Sequence, residues 1–134
     1  MKTVFADTFL WLALFHPKDA WHQRAKDYLD AYSGRLVLTD WVLMELGDAL
    51  AGTIRGRQEF LSLRADLQSD ADVNIVNSDP PLLEEAIALY ASRLDKQWSL
   101  TDCASFVVMQ REGISEALTG DRHFEQAGFV ALLK

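Results

Sequence analysis

The chain has 134 residues, with 13 basic and 20 acidic side chains, a net charge of −7, and 49% hydrophobic and 25% charged residues. That composition excludes a disordered protein and predicts one packed domain spanning residues 1–134. No apolar run approaches the roughly 20 residues that cross a bilayer, and the acidic balance argues against gripping nucleic acid through a broad basic surface.

In chain order, Thr3 to Ala6 is a short apolar run suited to a buried strand, and it ends at Asp7. Asp7 interrupts an N-terminus that otherwise resembles a signal peptide, and no small-residue cleavage site follows, so folded structure is expected. Thr8 to Phe15 reads as a short helix, with Asp7 available as its cap and Pro17 beyond its end. Lys18 to Tyr32 is amphipathic at loose helical spacing and stops at Ser33-Gly34. Arg35 to Thr39 reads as a second strand. Asp40 then caps a predicted helix to about Ile54, with an apolar stripe of Val42, Leu46, Ala49, Leu50 and Thr53.

A basic turn, Arg55-Gly56-Arg57, leads into a helix from about Gln58 to Gln68, and Val73 to Val76 is a third strand. Asp79-Pro80-Pro81 signals a helix start, running to about Leu94. Ser99 opens a helix that reaches Arg111 and ends before Gly113; its residues Cys103 to Met109 are apolar except Ser105, so it is expected to be buried. Cys103 is the only cysteine, which excludes an internal disulfide and predicts a cytoplasmic setting. Ala117 to Thr119 is a short strand, Asp121 to Gln126 a turn of helix, and Phe129 to Leu132 a last strand. Short strands alternating with helices predict a three-layer α/β/α sandwich around a mostly parallel sheet of four or five strands. Ligands bind such sheets beyond the carboxyl ends of the strands.

Four acidic residues, Asp7, Glu45, Asp102 and Asp121, sit where apolar stretches meet turns or helix starts. Each has an ordinary structural role open to it. Asp7 and Asp121 suit caps. Asp102 completes a capping box, Ser99-Leu100-Thr101-Asp102. Glu45 shares a helical face with Trp41 and Asp48, opposite Val42, Leu46 and Leu50, so a solvated role is open to it and Asp48 is a rival. As a set they point elsewhere. Two like charges about 4 Å apart repel by roughly 4 kcal/mol at an effective dielectric near 20, so convergence calls for protons or a cation, and oxygen ligands suit Mg²⁺ or Mn²⁺.

The stretches VFADTFLWLALFHPKDAWH, LVLTDWVLMELGDAL and WSLTDCASFVVMQREGISEALTGDRHF carry a resemblance to the PIN-domain family, in particular its small VapC-type toxins. The resemblance implies a parallel α/β/α sandwich and an Mg²⁺- or Mn²⁺-dependent ribonuclease. It maps the family's acidic positions onto Asp7, Glu45, Asp102 and Asp121, as catalytic residues and metal ligands. It also implies an RNA substrate, a cognate antitoxin and self-association as a homodimer, with no membrane. Thr8 and Thr119 are placed to orient ligands; Arg122 and the Arg55/Arg57 turn are candidate phosphate contacts; His16, His22 and His123 read as surface or supporting residues. A receiver domain is excluded, because Asn77 follows the third strand where a phosphoacceptor Asp belongs. An aspartyl-phosphate phosphatase is excluded by Phe9, two residues after Asp7. The remaining alternative is a catalytically silent module of the same fold, binding a protein or RNA through aromatics such as Trp11, Trp21 and Trp41.

Overall fold

The computed structural model describes residues 1–134. Strands β1 (Thr3–Ala6), β2 (Arg35–Thr39), β3 (Val73–Val76), β4 (Glu116–Leu118) and β5 (Val130–Ala131) alternate with helices. The helices are α1 (Thr8–Phe15), α2 (His22–Ala31), α3 (Asp40–Ala49), α4 (Ile54–Ser69), α5 (Pro80–Ser92), α6 (Leu100–Glu112) and α7 (Arg122–Gln126). The strands form one sheet in the order β3-β2-β1-β4-β5, and every pair is parallel. Parallel strands need helical crossovers, which cover the sheet, so the expected three-layer arrangement stands, with five strands.

Central strand β1 is apolar on both faces and has Val4, Phe5 and Ala6 fully buried. Helix α6 is buried along seven consecutive residues, Cys103 to Met109, as a helix apolar on all sides must be. Its Phe106 meets Phe124 of α7 edge to face, ring centroids 5.0 Å apart, and Trp98 packs on the same ring at 5.1 Å. Cys103 is a free buried thiol whose pKa burial pushes up to about 11. No helix is long and apolar enough to cross a membrane.

Several boundaries differ from the sequence expectation. Pro17 to Trp21 form a turn, so α2 starts at His22 rather than Lys18. Thr39, not Asp40, caps α3, its hydroxyl accepting from the Val42 amide at 3.1 Å. The helix read through to Ile54 stops at Ala49, because the Thr53 hydroxyl accepts from the Gly56 amide at 2.9 Å and starts α4 there. Arg55 to Arg57 therefore lie in the first turn of α4, not in a loop, and Ala49 and Thr53 of the supposed stripe are exposed. Of the three tryptophans, Trp11 is buried, while Trp21 and Trp41 are half-buried.

Candidate active site

The parallel topology brings the carboxyl ends of β1 and β4 together, with Ala6 in register with Leu118. The residues immediately beyond those ends, Asp7 and Thr119, consequently meet. Asp7 occupies the cap position of α1 with extended backbone, yet its side chain makes no capping bond. Its Oδ2 instead accepts from the Thr119 hydroxyl at 2.9 Å. The same hydroxyl accepts from the Asp121 amide at 3.0 Å, so one buried threonine ties two acidic residues together. The cap reading of Asp7 is thereby corrected: its carboxylate turns away from the orphan amides of α1 toward the sheet edge.

Asp102 does form the capping box. Ser99 Oγ accepts from the Asp102 amide at 2.9 Å, and Asp102 Oδ2 accepts from the Ser99 amide at 3.0 Å. His123 Nδ1 lies 3.0 Å from that oxygen and 3.5 Å from Asp121 Oδ2. Asp121 caps α7, its Oδ1 accepting from the His123 amide at 2.9 Å. In each of these three residues one carboxylate oxygen is tied down and the other makes no hydrogen bond within the protein. Glu45 is exposed on α3, and its charge is among those that raise Asp7.

The charges of Asp102, Glu45 and Asp121 all act on Asp7. Asp7 is only 5% exposed. Burial pushes its pKa from 3.8 to about 7; the charge of Asp102 adds to this, the Thr119 hydrogen bond opposes it, and Glu45 and Asp121 add further repulsion. Burial likewise raises Asp102, against the Ser99 amide and His123. Burial and the like charges acting on it leave the Asp7 carboxylate short of positive charge. The donors are oxygens with one imidazole beside them, and ligand atoms of Asp102, Asp121 and His123 lie within 4.8 Å of one another. That donor set fits a divalent cation.

His123 is the residue that sequence reasoning undervalued. It follows Asp121 by two positions, so the turn that caps α7 brings its ring back over Asp121 and Asp102. The Asp-Arg-His spacing carried that signal. Arg122 is exposed, and His16 and His22 are held by backbone carbonyls of α1, Leu12 and Ala13, away from the carboxylates.

A fully parallel sheet under helices, with Asp7 and Asp121 beyond the carboxyl ends of β1 and β4 and with Asp102 at the start of α6, sets the class of α/β fold. The PIN domain family model matches residues 4–130, and the chain belongs to that family. It is 30% identical over 127 residues to the 23S rRNA-specific endonuclease VapC20 of two Mycobacterium tuberculosis strains, CDC 1551 and H37Rv, the match covering 95% of each chain. The crystal structure of Mycobacterium tuberculosis VapC20, a Sarcin-Ricin loop cleaving toxin, superposes with a TM-score of 0.85 at 28% identity, over 95% of this chain and 96% of that one. The fold alone is shared with FitAcB from Neisseria gonorrhoeae, at TM-score 0.67 and 18% identity over 96% and 95% of the two chains. It is shared too with a toxin-antitoxin complex from Klebsiella pneumoniae, at TM-score 0.62 and 21% identity over 89% and 87%.

Proposed function

We propose that this chain is an endoribonuclease, the toxin of a type II toxin–antitoxin pair, which hydrolyses RNA phosphodiester bonds with Mg²⁺ or Mn²⁺. One observation carries the reading: Asp7 is buried at the carboxyl end of β1 and tied through the Thr119 hydroxyl to the Asp121 turn, in the field of Asp102, Glu45 and Asp121. Such a costly arrangement is kept where a cation is to be held. The full-length similarity to an endonuclease that acts on 23S rRNA supports RNA as the substrate. A single catalytic unit over residues 1–134 is part of the proposal.

Asp7, Asp102 and Asp121 would hold the cation through their untied oxygens, with Glu45 at the rim. A bound divalent ion supplies Lewis-acid stabilisation of the phosphate and makes an attacking water more acidic. The protein's own part is positional. Thr119 fixes the rotamer of Asp7 and the start of the Asp121 turn. Ser99 and His123 together occupy Asp102 Oδ2 and leave Oδ1 free. Glu45, exposed on α3, would orient a water or accept its proton. Oxygens held this way need little reorganisation when substrate arrives, which is where electrostatic catalysis gains most.

An antitoxin that covers the acidic cleft and a homodimer complete the proposal. For self-association, Leu83, Ile87, Tyr90 and Leu94 are exposed at helical spacing along and just beyond α5. Light scattering on a size-exclusion column should give twice the chain mass, and Ile87→Glu should halve it.

The functional test is incubation with tRNA, ribosomal RNA and single-stranded RNA in Mg²⁺ or Mn²⁺, beside EDTA and Asp102→Asn controls. Discrete products are expected that vanish in both controls. Products that persist in Asp102→Asn would assign the cleavage to a contaminant and sink the reading.

A further inference from the structure

The acidic cleft must receive a polyanion although the chain carries a net charge of −7. Something beside the cleft has to draw the phosphate chain in, and a fixed cation without an acidic partner is suited to that. Most cations here are either paired or anchored by nothing. Lys2, Lys26, Arg55, Arg93, Lys96, Arg111 and Lys134 are in salt bridges. Arg122 follows Asp121 but no contact fixes its side chain.

Arg24 differs. Its guanidinium lies 5.2 Å from the ring centroid of Trp21, and its Nη1 donates to the Leu133 carbonyl at 3.2 Å. It has no carboxylate partner. Its two anchors lead to the site by separate routes. The Leu133 amide donates to the Thr119 carbonyl at 3.2 Å, joining the C-terminal segment to the residue that holds Asp7. Trp21 stands against Phe9, edge to face at 5.4 Å, and both rings press on the turn between Thr119 and Asp121. A Cβ on Gly120 would lie 2.6 Å from Phe9 Cζ and 3.2 Å from a Trp21 ring carbon, so glycine there lets the aromatic pair sit directly on that turn. Phe9 and Trp21 are half-buried, and Arg24 is exposed.

We propose that Arg24, laid on Trp21 and tied to Leu133, is a substrate-positioning subsite that takes an RNA phosphate next to the scissile bond, with the adjoining base stacked on the guanidinium plane. The inference rests on the ribonuclease reading and deepens it. A guanidinium offers paired donors to a phosphate and a flat face to a base, which an ammonium does not. Stacking on aromatic–arginine platforms tolerates any base and adds binding where bulk electrostatics are adverse. Arg24 is a positioning residue here: it sets where the strand lies and leaves the chemistry to the carboxylates.

The test uses the full chain carrying Asp102→Asn to stop cleavage, and fluorescence anisotropy with a labelled 23S rRNA hairpin bearing the sarcin–ricin loop. Arg24→Gln should raise Kd about tenfold and lower the salt slope by about one. Arg24→Lys should recover part of the affinity, and Trp21→Leu should resemble Arg24→Gln. Arg35→Gln, at the opposite end of the sheet where β2 begins, should leave Kd alone. In otherwise native protein Arg24→Gln should raise KM and spare kcat. Hairpin bound and cut equally well by Arg24→Gln overturns the subsite and leaves the ribonuclease reading standing, with the cation then free for a protein partner. Hairpin neither bound nor cut by any variant overturns the subsite, and only if no RNA of the wider panel is cut either does the ribonuclease reading fall with it.

Discussion

Asp7 is a buried acid among like charges. Its carboxyl is pushed from 3.8 to about 7, chiefly by burial and then by Asp102. Because the folded pKa lies above the unfolded one, the folded state holds the proton more tightly. The stability this contributes is complete below about pH 4 and is lost as pH rises through 7. At about 1.4 kcal/mol per pKa unit the loss is on the order of 4 kcal/mol. In EDTA, Asp7→Asn should therefore be more stable than the parent at pH 8, and urea midpoints should show the gap closing toward pH 4.5. A gap independent of pH would mean that Asp7 is not strained. Thr119→Val keeps the shape but removes the one hydroxyl that lowers the Asp7 pKa and serves the Asp121 amide. It should cost about 1–3 kcal/mol and depress kcat more than it raises KM. The acidic residues were legible because each sits where an apolar stretch meets a turn or helix start. The diversion of Asp7 from capping was not, since only the β1–β4 pairing puts Thr119 within its reach.

At the level of elements, the strands were legible and the helix ends less so. Runs such as Val4-Phe5-Ala6 are apolar without interruption and can only be interior strands. The break between α3 and α4 went unread because Asp48 to Ile54 contains no proline and keeps a helical apolar spacing; the Thr53 cap decides it locally. Thr53→Ala should cost about 1 kcal/mol, seen as a lower melting temperature with RNA cleavage unaffected. The turn from β4 to α7 is constrained by space rather than by dihedral angle, since Gly120 has no positive φ. Gly120→Ala should destabilise by about 1–3 kcal/mol through the clash with Phe9. Adding Phe9→Leu should return part of that loss, a coupling that a double-mutant cycle reads directly. Additive losses would show that the ring is not what the new methyl meets.

Across the whole molecule, the ends of β1 and β4 and the helices α3 and α6 supply acidic residues from distant parts of the chain, so fold and site are built together. The cost is the burial of Asp7 among like charges in the metal-free protein, and a bound cation should convert that cost into stability. Ligand at about 100 times Kd adds about 2.7 kcal/mol to the folded state, on the order of 8 °C for a chain of this length. The same carboxylate decides both sides of the balance. Metal-free at pH 8, Asp7→Asn should melt above the parent, because it removes the strained charge. In saturating Mn²⁺ the order should reverse, because the parent gains the full increment and the variant, short of a ligand, gains little. Thermal melts of both proteins in EDTA and in Mn²⁺ supply the four numbers. A crossing of the two stabilities establishes that the tension at Asp7 exists to be relieved by a cation. Parallel shifts, with the variant above the parent in both conditions, would place the metal elsewhere and leave Asp7 as a buried acid with no ligand role.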